Sequence, residues 1–137
     1  IRFRTRDLVE VYTSPCSCGS PSFRLRCIGR TDDMLIIRGV NVFPSAIKDV
    51  VSSFSPKTTG EIRIVLHQEP PLVEPPLPIK VEYQSGLSVE EQQQLKKELQ
   101  SVLRSKLFFT ADVQLVPEGE LPRFEMKAKY TEDLYKQ

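Results

Sequence analysis

The sequence predicts an α+β domain: a small, mostly antiparallel sheet with two helices on one face, preceded by a hairpin-like segment at the N-terminus. Three observations carry this. Phe23-Arg24-Leu25-Arg26-Cys27-Ile28 alternates apolar and charged residues, as a half-buried strand does. Met34-Leu35-Ile36-Ile37 and Val40-Asn41-Val42 flank Arg38-Gly39, two β-rich runs around a glycine that read as a hairpin. Two later segments place their apolar residues at helical spacing.

In chain order, Leu8-Val9-Glu10-Val11-Tyr12 is an extended stretch, and residues 13–21 (Thr-Ser-Pro-Cys-Ser-Cys-Gly-Ser-Pro) are turn-forming throughout. The short polar run Gly29-Arg30-Thr31-Asp32-Asp33 suits a turn or hinge. Pro44 and Ser45 signal a helix start, with Ile47, Val50, Val51 and Phe54 on one stripe and Pro56 as the stop. Residues 61–66 read as a strand. The stretch holding Pro70, Pro71, Pro75, Pro76 and Pro78 reads as a stiff loop, unfit for a central strand. Residues 79–83 make the next strand. Ser88-Val89-Glu90-Glu91 is a capping box, opening a helix whose buried stripe is Leu95, Leu99, Val102 and Leu103. Residues 113–116 form the last strand, ahead of a polar tail with Lys127 and Lys129.

The 137 residues suit one modest core. With 19 basic against 18 acidic residues, the net charge of +1 argues against a nucleic-acid or membrane-surface binder, which normally carries a basic excess. No apolar run approaches a membrane span and no signal peptide is visible. The chain opens on Ile1 and a charged run at residues 2–7, and reads as part of something longer. An odd count of cysteines (Cys16, Cys18, Cys27) points away from a disulfide scaffold and toward a reducing, cytoplasmic setting.

Three separated motifs then matter together. Arg4-Thr5-Arg6-Asp7-Leu8 resembles the R-T-G-D-L motif of the adenylate-forming superfamily. Gly29-Arg30-Thr31-Asp32-Asp33, running on to Arg38-Gly39, resembles its G-R-x-D…R-G motif, and Pro122-Arg123-Phe124-Glu125-Met126-Lys127 resembles its terminal segment with the catalytic lysine. The sharpest match is residues 32–44, Asp-Asp-Met-Leu-Ile-Ile-Arg-Gly-Val-Asn-Val-Phe-Pro, which is similar to the phenylacetate–CoA ligase branch. Such enzymes join a carboxylic acid to ATP, release pyrophosphate, and pass the acyl group to a thiol.

The resemblance implies a division: 1–31 as the end of the large N-terminal domain, with the ribose motif and the cysteine loop; 32–33 as the hinge; and 34–137 as a mobile C-terminal lid. It implies that Asp7 accepts from the ribose hydroxyls of ATP and that Arg30 contacts ribose or phosphate with its planar donor fork. Asp32 is the implied pivot between an adenylating and a thioester-forming orientation. Arg38, Gly39 and Val40 line the implied pantetheine tunnel, where a missing side chain allows the thiol arm to approach. Lys127 is the implied catalytic lysine, placing a positive charge between the carboxylate and the α-phosphate. Two departures from the family pattern, Met126 before the lysine and Tyr130 three residues after it, keep Lys129 as a competitor.

Cys16-Ser17-Cys18-Gly19 resembles a C-x-C-G segment that holds zinc in several relatives, with Cys27 as a third ligand; reduced, inert thiols are the plainer reading. The implied reactants are an aryl or arylacetic acid, ATP with Mg²⁺, and coenzyme A, and a homodimer is compatible. No phosphate-cradling glycine loop or acid pocket is present, so the chain alone should not turn over substrate. Two other readings stand beside this one: a synthetase that adenylates a deazaflavin coenzyme and stops there, and a non-catalytic small-molecule-binding module.

Overall fold

The computed structural model describes residues 4–123 and 129–136. It opens with an antiparallel hairpin of β1 (Asp7–Tyr12) and β2 (Arg24–Arg30). The register steps from Leu8 opposite Gly29 to Val9 opposite Cys27. Ile28 is the extra residue of this bulge, and its carbonyl accepts from Ser45 Oγ at 3.1 Å. Gly29 lies against the Phe43 ring, where an added Cβ would come within 3.1 Å of the ring edge. These two contacts tie the first hairpin to Phe43 and Ser45, at the start of the first helix.

The second hairpin is β3 (Leu35–Ile37) and β4 (Val40–Val42). Its two turn residues, Arg38 and Gly39, have φ of +47° and +82°. Two left-handed residues are what a two-residue turn needs to match the right-handed twist of its strands. Next comes α1 (Pro44–Ser52), with proline in its first turn and Ile47, Val50 and Val51 buried. It leads into β5 (Thr58–Leu66), β6 (Leu72–Val73) and β7 (Leu77–Tyr83). The long helix α2 (Val89–Leu107) is followed by β8 (Ala111–Pro117), β9 (Thr131–Asp133) and a 3₁₀ turn, Leu134–Lys136. The capping box is formed: Ser88 Oγ accepts from the Glu91 N–H, and the Glu91 carboxylate accepts from the Ser88 N–H at 2.8 Å.

The α+β class and both helices are as expected. The main sheet, ordered β8-β7-β5-β9, is mixed where a mostly antiparallel one was predicted: only β5–β7 is antiparallel. The reason is α2. It carries the chain from one end of β7 back to the other, so β8 enters beside β7 in the same direction, as a helical crossover demands. A smaller sheet, β4-β3-β6, contains a parallel pair as well. The proline stretch is not all loop, since β6 and the start of β7 lie in it. Pro78, which has no N–H to give, sits just before Ile79, where the pairing with β5 begins. His67 falls just past the end of β5.

The core lies between the helices and one sheet face. Ile47, Val50, Val51, Leu95, Leu99 and Leu103 pack with Ile62, Ile64, Leu66, Leu77, Ile79 and Val81. Full burial of each such side chain is worth about 1.5–3 kcal/mol. Val102 is half-buried at the edge of this core. Strand alternation turns Glu61, Arg63, Lys80 and Glu82 to the opposite face. Residues 118–123 and 129–136 cover that polar face.

Candidate functional site

Strand register assembles the first cluster. Asp7 begins β1 and Arg30 ends β2, and the antiparallel ladder sets them opposite each other. Thr31 extends the pairing, with its N–H donating to the Arg6 carbonyl at 2.9 Å. Arg30 then serves three carboxylates. Its Nε and Nη2 donate to both oxygens of Asp32 at 2.9 and 2.8 Å, a bidentate fork. Its Nη1 lies 3.5 Å from Asp7, and its Nε 3.9 Å from Asp33. Arg6 adds a second positive charge, 4.0 Å from Asp32. The hydrogen bonds from Arg30 hold the Asp32 carboxyl below the usual aspartate range, and Asp32 in turn raises Arg30. The side chains of Asp7, Arg30 and Asp32 are each about one-third exposed, 35%, 33% and 32%, so they stay open to a ligand.

The sign of the Asp32 effect is definite. A carboxyl with a depressed folded pKa adds stability above its unfolded pKa and loses it as pH falls through the folded value. In a carbon-detected NMR titration of this chain, the Asp32 carboxyl is expected to titrate below the ordinary aspartate value. Arg30→Gln is expected to move it up toward the ordinary value of about 3.9. An unchanged midpoint in Arg30→Gln would show that the fork does not operate in solution.

A cleft of about 400 Å³ separates the Asp32–Asp33 turn from the C-terminal strand. Across it stand Lys129, Asp133 and Lys136. Asp133 Oδ2 accepts from Lys129 Nζ at 3.2 Å and from Lys136 Nζ at 3.1 Å. Burial pushes the Asp133 carboxyl up, but the hydrogen bonds from the two lysines outweigh it and hold it low. The charge of Lys129 is thus already spent on a carboxylate. Lys127 lies outside the described residues.

Arg38, Gly39 and Val40 are not brought to this cluster. They sit at the far end of β3 from the Asp32–Asp33 turn, three strand residues away, on the tip of the second hairpin. The predicted site residues are therefore split: Asp7, Arg30 and Asp32 gather at one end of β3, and a turn with a bare glycine lies at the other.

The cysteines divide as well. Cys18 Sγ lies 2.9 Å from Cys16 Sγ in the tip of the first hairpin, and this hydrogen bond lowers the Cys16 thiol. Cys27 is out on β2 opposite Val9, with its thiol near the Gly29 carbonyl. A structural zinc takes four ligands. Among the described residues no three His, Cys, Asp or Glu side chains converge to hold a metal ion.

Two charged side chains that sequence reasoning passed over prove to be buried: Arg63 and Glu82. The signal in the sequence was a charge inside each apolar strand, Ile62-Arg63-Ile64 and Val81-Glu82-Tyr83. Alternation alone assigns such residues to solvent.

With this geometry in place, comparison with known proteins is decisive for the family. A family model described as AMP-binding enzyme C-terminal domain matches residues 39–134. The chain belongs to that family. It is 36% identical over 140 residues to the phenylacetate–coenzyme A ligase of Escherichia coli (strain K12), a match covering 98% of this chain and 30% of that protein. The chain thus spans about 30% of the length of that relative. Among solved family relatives, 2-hydroxyisobutyryl-CoA ligase in the postadenylation state, in complex with R3-HIB-AMP, superposes with a TM-score of 0.85. It is 28% identical, over 96% of this chain and 29% of that one. The ligase of the same name with 2-HIB-AMP and CoA, in the thioesterification state, gives only 0.65 at 29% identity, over 94% and 27%. Among the described residues no helix is long and apolar enough to cross a membrane.

Proposed function

We propose that this chain is the C-terminal portion of an AMP-forming ligase that couples an aryl or arylacetic acid, phenylacetate first among them, to coenzyme A. The observation that carries the reading is the backbone likeness, over 96% of this chain at a TM-score of 0.85, to a ligase in complex with its acyl-adenylate, beside which the Asp7–Arg30–Asp32 cluster stands as the candidate ribose and hinge group. In this reading residues 1–31 close the large domain, 32–33 are the pivot, and 34–137 are the lid. Exposed Val9, Val11, Phe23, Leu25 and Ile28 on the first hairpin suit burial against that large domain. Asp7 accepts from the ribose hydroxyls, and Arg30 holds Asp32 while the lid is in its adenylating position. Turning the lid must break the Arg30–Asp32 fork, an exposed pair worth little on its own and so easily reversed. Arg38, Gly39 and Val40 then meet the thiol arm, and Lys127 supplies the charge for adenylation. Mg²⁺ enters with ATP, and the setting is cytoplasmic; a homodimer is compatible with both. A free-standing binding module is disfavoured by the family match and by the likeness to the solved ligase.

The test is to assay the intact enzyme with ATP, Mg²⁺ and a panel of carboxylic acids. Acid-dependent pyrophosphate exchange with phenylacetate, and AMP release that rises on adding CoA, is the expected result. Exchange without CoA stimulation would favour an enzyme that stops at the adenylate, and no exchange with any aryl acid would sink the substrate class.

A further inference from the structure

The central sheet buries two charges that the mechanism above does not use. Arg63 on β5 is 6% exposed and Glu82 on β7 is 0% exposed. Taking a charge out of water costs several kcal/mol, and well-packed apolar residues of similar volume often serve stability as well or better. Their partners show where the charges act. Arg63 donates through Nη1 to the Lys129 carbonyl and through Nη2 to the Pro122 carbonyl, the latter at 3.1 Å. Glu82 accepts from the Leu121 N–H at 3.1 Å, from Arg123 Nη2 at 2.7 Å and from Thr59 Oγ1 at 2.9 Å. All of these partners but Thr59 lie on the two stems that flank residues 124–128.

We propose that Arg63, with Glu82 beside it, is a positioning residue for adenylation: one guanidinium ties both stems of the segment carrying Lys127 to the rigid sheet. The proposal rests on the adenylating reading and on Lys127 as its lysine. A guanidinium suits the task because its donors are fixed in one plane and reach two acceptors at once. A lysine at 63 would carry the same charge on a single rotatable point. Arg63 is rooted between Ile62 and Ile64, both in the core, so its base does not move with the stems. Holding both stems from one point fixes their separation, and a lysine offset by about 1 Å can cost on the order of 100-fold in rate.

The thioester half-reaction supplies the control. It uses the same folded lid but engages the Gly39 end, and has no need of Lys127. In the intact enzyme, Arg63→Lys and Arg63→Gln are expected to lower the kcat of pyrophosphate exchange by about 100-fold. Thioester formation from supplied phenylacetyl-adenylate is expected to stay near wild type. Glu82→Gln should shift the same ratio in the same direction, less strongly. If Arg63→Gln fails to fold, Arg63→Lys and Glu82→Gln still carry the test. Equal loss of both half-reactions would mean that Arg63 serves only the fold, and loss of neither would mean that it positions nothing; either overturns the proposal. Lys127→Ala, run alongside, separates the two ideas. If it keeps exchange, the lysine assignment falls; if it loses exchange while the Arg63 variants keep it, the positioning role alone falls.

Discussion

Lys127→Ala in the intact enzyme is expected to lower adenylate formation by on the order of 10²–10³-fold, the range seen when one preorganised charge or donor is removed from a developing transition state. Thioester formation from supplied adenylate should be largely kept. The asymmetry comes from where charge develops. In the first half-reaction a carboxylate approaches an α-phosphate, two anions that must be held together against repulsion. An ammonium between them offsets that charge and fixes the approach. In the second half-reaction the acid is already activated, AMP is the leaving group, and the lysine has no such task. Lys129 is the competitor, and the structure weighs against it: its Nζ is 3.2 Å from Asp133, its main-chain carbonyl is held by Arg63, and Lys136 shares the same carboxylate. Freeing Lys129 for a substrate would first break that pair. Exchange measured in Lys129→Ala decides the matter: if it collapses there and survives in Lys127→Ala, the role passes to Lys129.

Most of the scaffold was legible because local chemistry wrote it. The Arg38-Gly39 pair between β-branched runs gave the second hairpin, and Pro44 and the Ser88–Glu91 box gave both helix starts. What was not legible is long-range. Nothing near residue 113 says that β8 runs parallel to β7; that is decided by the path of α2. Leu72 and Val73 are too few to announce a strand, and become one only by meeting Ile36 and Ile37. The site divides in the same way. Asp7 and Arg30 were identified by motif, and strand register set them opposite each other, a step that composition does not contain. Arg63 and Glu82 were missed because a charge alternating with apolar residues reads as a solvated face. Here that face is roofed by residues 118–123 and 129–136, distant in sequence from either strand.

Gly39→Val is expected to have the reverse signature of Lys127→Ala: exchange near wild type, CoA-thioester formation lowered by on the order of 100-fold, and the KM for CoA raised. In this structure a Cβ on Gly39 would meet nothing within 4 Å. Crowding in this state therefore cannot explain a large defect. The φ of +82° does impose a cost on any side chain, about 1–2 kcal/mol, and it weighs on the fold as a whole. That cost is common to both half-reactions and cancels in their ratio. A selective loss of the second half would then support the proposed second orientation of the lid, in which the hairpin tip meets the thiol arm and the space beside Gly39 is filled. Gly39→Ala, which bears a similar φ cost with less bulk, should fall between wild type and Gly39→Val on the thioester half alone. Should the two variants depress both half-reactions equally, the turn glycine would be serving only the hairpin, and the thiol arm would have to run along another edge of the domain.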